Sequence, residues 1–108
     1  MNADRTWLET ADAGWAPVDM PAEVMEDSFV SGDRSGRRLT LRYYTHDDGS
    51  MMAKVLLGPG AQGPPGHAHG GSMASLLDET MGGAAWMSGY MVVAAELNVT
   101  FKKMLPLG

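Results

Sequence analysis

Gly63-Pro64-Pro65-Gly66-His67-Ala68-His69-Gly70-Gly71-Ser72 is the stretch on which the reading of this chain turns, with Asp78 following two turns beyond Gly70. A stiff Gly/Pro loop runs into two glycines, and those glycines open a helix. Amides at a helix start have no intrahelical acceptor and sit at the positive end of the dipole. A developing negative charge can rest against them. An acid further along the same helix can polarise water. Together they suggest attack on a carbonyl without a Ser or Cys nucleophile.

Outward from that loop, the spacing predicts a helix from Ser72 to about Ser88. Met73, Leu76, Leu77, Met81 and Ala84 recur at helical intervals. Gly82-Gly83-Ala84-Ala85 is a small-residue patch inside it. Each glycine there costs about 1 kcal/mol relative to alanine, which close approach of a strand would justify. Gly89 suits the C′ position.

Upstream, Leu39, Leu41 and Tyr43 alternate with Thr40, Arg42 and Tyr44, the period of a strand. His46-Asp47-Asp48-Gly49-Ser50 supplies a turn, and Met51 to Leu57 the return strand. Gly58 to Gly66 is a loop. Downstream, Tyr90 to Lys103 reads as a long strand. Met91, Val93, Ala95, Leu97, Val99 and Phe101 share one face, which should pack on the helix. At roughly 3.3 Å per residue it would exceed about 40 Å. Residues 1–36 read as an N-terminal arm with one short helix, broken by Pro17 and Pro21, whose tryptophans dock on the core. Residues 37–108 form the domain. The class is α+β. So few strands leave a sticky sheet edge. A further C-terminal part of the domain, or a partner chain, is expected to cover it.

Composition narrows the function. The chain has 108 residues, net charge −5 and no cysteine. It is one small domain. Disulfides, thiolate nucleophiles and Cys-based zinc sites are excluded. Nucleic acid is not an expected partner of an acidic chain without a basic stripe. No secretion signal or apolar run of about 20 residues occurs, so no membrane span and a cytoplasmic location are expected. The ten methionines suit either an adaptable core or an acyl-chain tunnel.

Asp78 has Ala74, Ser75, Met81 and Gly82 as helical neighbours, and no Lys or Arg occurs between Lys54 and Lys102. A carboxylate without a local cation is a candidate general base. The alternatives are a capping box, Ser75-x-x-Asp78, or an acid that, like Glu79, is simply solvated. Glu79 reads as solvated. Gly70 and Gly71 are either an oxyanion hole or an ordinary glycine-rich helix entry. His67 and His69 lack the nearby acid of a His-x-His metal site, so no metal and no cofactor are expected. His69 would position the loop or contact a carbonyl; His67 would be exposed and idle. Gly-x-Ser-x-Gly fails at Ala74. Lys102 and Lys103 either hold a coenzyme A phosphate or keep a strand end soluble.

Gly63-Pro64-Pro65-Gly66-x-x-His69-Gly70-Gly71, then Asp78, Glu96-Leu97-Asn98-Val99-Thr100-Phe101-Lys102 and Pro106-Leu107, resembles the hotdog-fold acyl-CoA thioesterases of the PaaI/Them type over roughly residues 37–108. The resemblance implies a long helix wrapped by a curved antiparallel sheet, in homodimers or dimers of dimers. It implies hydrolysis of medium- or long-chain acyl-CoA in fatty acid metabolism. A backbone N–H at His69-Gly70-Gly71 would polarise the thioester carbonyl. Asp78 of the opposite subunit would act as base or nucleophile, and Thr100 and Lys102 would contact coenzyme A. Ala94 departs from relatives that carry a hydroxyl there, and relatives continue with further strands past Pro-Leu. A non-catalytic acyl-CoA binding module is the alternative. A hydratase pairing His69 with Asp78 is a third reading, which the Gly-Pro-Pro-Gly loop disfavours.

Overall fold

The computed structural model describes residues 3–19 and 25–108; Pro21 lies outside them. The elements in chain order are α1 (Ala3–Glu9), β1 (Trp15–Val18), β2 (Leu39–His46), β3 (Met51–Leu57), a single 3-10 turn (Pro59–Ala61) and α2 (Gly70–Met87). The strands form one antiparallel sheet in the order β1-β2-β3. The expected hairpin is present, with Leu39 opposite Leu57 and Thr45 opposite Met51. Gly49 takes φ 86°, a conformation that disfavours any side chain.

Period-two alternation divides the sheet into two faces. Leu39, Leu41, Tyr43 and Leu57 are buried on one, where Met73 and Leu76 of α2 pack against them. Tyr44 and Lys54 are buried on the other, under α1, whose Leu8 is fully covered. The arm does more than dock its tryptophans. Residues 15–18 join the sheet as β1, an edge strand, where Pro17 sacrifices no internal ladder bond. Trp15 stacks on Tyr44 at 5.6 Å on the α1 face, away from the core beneath α2, and Trp7 is half exposed.

Lys54 organises that outer face. Its ammonium donates to Trp7 O at 3.1 Å, Thr10 O at 2.5 Å and Asp12 Oδ1 at 2.9 Å. It also lies 4.9 Å from the Trp7 ring centroid and 5.7 Å from those of Trp15 and Tyr44. A buried ammonium needs such pairing, and a cation at the end of α1 complements its dipole. Arg42 stands directly opposite Lys54. The repulsion between them is offset because Arg42 pairs with Glu9 at 2.5 Å while Lys54 takes Asp12.

α2 begins two residues before the expected Ser72 and ends as expected. Ser88 is its C-cap, and Gly89, at φ 92°, donates its N–H to Trp86 O at 2.9 Å. The expected close approach of a strand to Gly82 is absent: a Cβ there would meet open space within 4 Å.

Residues 90–103 are not a strand, contrary to the alternation in their sequence. The segment leaves α2 at Gly89 as irregular chain. Val92, Val93 and Leu97 lie beside the second half of the helix, and Phe101 lies over Gly70 at its start. Tyr90 N–H still donates to Ala85 O at 2.9 Å, and the chain is held again only near its end. Ala68 N–H donates to Leu105 O, Leu107 N–H to Gly66 O and Gly108 N–H to Leu57 O. Alternation says which side chains can share a face, but a strand also needs a neighbour to complete its ladder. Among the described residues none pairs with this segment. Its apolar side chains are accordingly exposed, Val93 to 92%.

Candidate active site

His69 is the N-cap of α2. The Gly71 N–H donates to His69 Nδ1 at 2.8 Å, and the Ser72 and Met73 N–H groups donate to His69 O. The acceptor role of Nδ1 sets the Nε2–H tautomer. The glycine amides are therefore not equivalent. Gly71's is occupied, whereas Gly70's has no acceptor among the described residues. The Phe101 ring covers Gly70 closely, 3.3 Å from where a Cβ would stand. His67 is half-buried; its Nδ1 is 2.9 Å from Pro65 O and its backbone bridges to Pro106.

Gly71, Ser75, Asp78, Gly82 and Trp86 follow one another at helical spacing, so they form one stripe along α2. The lower stripe borders a cavity of about 480 Å³ whose walls are mostly apolar, including Met25, Val30, Val92, Val93 and Leu97. Asp78 stands exposed at its edge. The open space beside Gly82 belongs to it, so the small-residue patch shapes a cavity wall. Ala94 borders the same cavity. Asp78 lies about 12 Å along the helix axis from Gly70, so one carbonyl group cannot meet both in a single chain. Within a single chain the same separation keeps His69 and Asp78 from forming a proton-transfer pair. The capping-box reading of Asp78 fails because α2 starts at Gly70, and Ser75 instead donates to Gly71 O at 2.7 Å.

Glu79 is not solvated. Half-buried on the cavity floor, it accepts hydrogen bonds from the Ser28 and Tyr43 hydroxyls through separate oxygens. It thereby ties α2 to β2 and to the 28–30 turn. Burial, and then the Glu79 hydrogen bond and charge, push the Tyr43 hydroxyl far above its ordinary range. The sequence held a signal for this contact. A tyrosine at a core-facing strand position needs an acceptor for its hydroxyl, and Tyr43 is such a residue.

A second cavity of about 320 Å³ opens at the start of α2, bordered by Phe29, Arg38, Gln62, His69 and Gly71. Nothing in the sequence singled out Phe29 or Arg38. Thr100 and Lys102 stand exposed on the irregular C-terminal segment and border neither cavity. Among the described residues no group of three or more His, Asp or Glu gathers as a metal site, and no helix is long and apolar enough to cross a membrane.

The sequence model of the thioesterase superfamily matches residues 65–108, the run from the Gly/Pro loop through α2 to the end of the chain. Residues 65–108 are thus similar to the thioesterase superfamily. The chain is 45% identical over 51 residues to acyl-coenzyme A thioesterase THEM5 of Mus musculus, 47% of this chain and 21% of that protein. With THEM5 of Homo sapiens it shares 43% over 54 residues, 48% of this chain and 22% of the relative. With acyl-coenzyme A thioesterase THEM4 of Xenopus laevis it shares 39% over 67 residues, 61% of this chain and 30% of the relative. The chain thus spans less than a third of the length of these relatives. The long helix against an antiparallel sheet agrees with the hotdog class, and the described sheet is open.

Proposed function

We propose that this chain hydrolyses acyl-CoA thioesters, releasing the free acid and coenzyme A. The observation that carries the reading is the separation along α2: among the described residues, an amide without an acceptor at its start, and a carboxylate without an ion-pair partner at the edge of an apolar cavity two turns on. The superfamily match over the same residues supports it.

In this reading two copies of the chain face each other. Gly70 of one copy meets the thioester carbonyl, and Asp78 of the other confronts the carbonyl carbon. The acyl chain runs past Asp78 into the apolar cavity. Either Asp78 takes a proton from the attacking water, or its carboxylate adds to the carbon and water then releases the acid. In both routes the carbonyl oxygen becomes negative and the Gly70 N–H donates to it. Gly71 joins once the His69 ring gives up its amide, which makes His69 a positioning residue. Coenzyme A leaves as the thiolate and is protonated. Thr100 and Lys102 hold the coenzyme A end, and the reaction runs in the cytoplasm.

Asp78→Asn is expected to lower turnover of an acyl-CoA by roughly 10²-fold or more. Gly70→Pro removes the other half of the machinery, and proline is tolerated at the first helical position. Mixing the two inactive variants should restore turnover, because one face of a mixed dimer keeps both an intact amide and an intact acid. Undiminished hydrolysis by Asp78→Asn would refute the assignment. Mixtures that stay inactive would refute the shared site. Ala94, which brings no hydroxyl to the cavity edge, favours a second reading, binding without turnover. Calorimetric binding of acyl-CoA with no hydrolysis by the unmodified chain would select it.

A further inference from the structure

The cavity at the start of α2 is built around Arg38. The Gly58 N–H donates to Arg38 O at 2.8 Å and the Gly60 N–H to Arg37 O at 2.5 Å. A Cβ on Gly58 would lie 2.5 Å from Arg37 O, and one on Gly60 would lie 3.0 Å from Arg38 Cγ. Only glycine lets the loop come this close. The Arg38 N–H is held in turn by Asp33 Oδ2 at 2.9 Å. Hydrogen bonds from the Ser35 side chain and backbone, then from the Arg38 N–H, keep the Asp33 carboxyl ionised down to about 2. The Arg38 backbone is thus gripped from two sides while its guanidinium extends over the Phe29 ring, 5.9 Å from the centroid.

That guanidinium has no carboxylate partner among the described residues, and neither do Arg34 and Arg37 of the same loop. In a chain of net charge −5 this loop is a local excess of positive charge. Arg38 borders a cavity that also reaches His69 and Gly71. The walls between, with Gln62 and Ser72, are polar enough to suit a neutral, amide-bearing chain.

We propose that this second cavity receives the pantetheine arm of coenzyme A and that Arg38 takes the charge of its phosphates. The assignment rests on the acyl-CoA reading above. A guanidinium matches phosphate with two parallel N–H donors. Pantetheine is the part of coenzyme A that lies between the thiol and the phosphates, so a cavity running from Gly71, the residue after Gly70, to Arg38 connects the two in the required order. Arg38 adds a coenzyme A contact at the start of α2 to those assigned above to Thr100 and Lys102.

The test uses coenzyme A and pantetheine, which share the arm and differ in the phosphates. Calorimetry on the full chain should show coenzyme A binding more tightly than pantetheine, with only the former weakened by added salt. Arg38→Gln should weaken coenzyme A by roughly tenfold and leave pantetheine unchanged. Equal binding of the two ligands, salt-independent coenzyme A binding, or equal loss for both in Arg38→Gln would overturn the proposal. The salt series on the unmodified chain decides it even if the variant fails to fold. Octanoyl-CoA hydrolysis separates this from the catalytic reading. Arg38-dependent binding without hydrolysis sinks the catalysis alone, whereas hydrolysis with a KM untouched by Arg38→Gln sinks the phosphate contact alone.

Discussion

Tyr43 shows what one hydroxyl can fix. Its O–H donates to Glu79 from a core-facing strand position, and Glu79 follows Asp78 directly on the helix. The contact sets the rotation of α2 about its axis and so the direction in which the neighbouring acid points. The native state holds Tyr43 neutral because burial and Glu79 both disfavour the phenolate. The unfolded chain releases that proton near pH 10. Stability from this group is therefore fully present below about pH 10 and declines above it, where the unfolded state binds fewer protons than the native one. Urea midpoints should fall between pH 9 and pH 11 in the unmodified chain and fall less in Tyr43→Phe. A tyrosinate absorbance that appears in full before unfolding would contradict the buried contact.

Among the elements, the hairpin and α2 were legible because each carries its own instructions. The hairpin has alternation and a Gly49 turn; α2 has helical spacing and Gly89 beyond its end. The N-cap is less legible, since His69 is not a usual capping residue. β1 is hidden in the sequence for a physical reason: Pro17 rules out a helix but permits an edge strand. The segment 90–103 is the opposite case. Its pattern is that of a strand, and a pattern cannot supply the neighbour that would accept its hydrogen bonds. Amide hydrogens at residues 91–103 should accordingly exchange far faster than those of β2 and β3. Slow exchange at every second amide there would show that a ladder partner has arrived. Glu79 and Arg38 were illegible in another way, because what distinguishes them is set by loops brought together from distant positions.

At the scale of the molecule, the sheet separates two kinds of business. One face carries α2, both cavities and the residues proposed for chemistry. The other carries α1 and Lys54, whose amine is spent on two carbonyls, a carboxylate and three rings. Lys102 and Lys103 stand exposed on the C-terminal segment. Primary amines on one small chain should therefore differ sharply toward an acylating reagent. Lys102 and Lys103 will take up label at once, while Lys54 stays unmodified until residues 3–18 peel away. Mass-resolved labelling at that one nitrogen would act as a clock for detachment of the N-terminus, readable without any substitution in the chain.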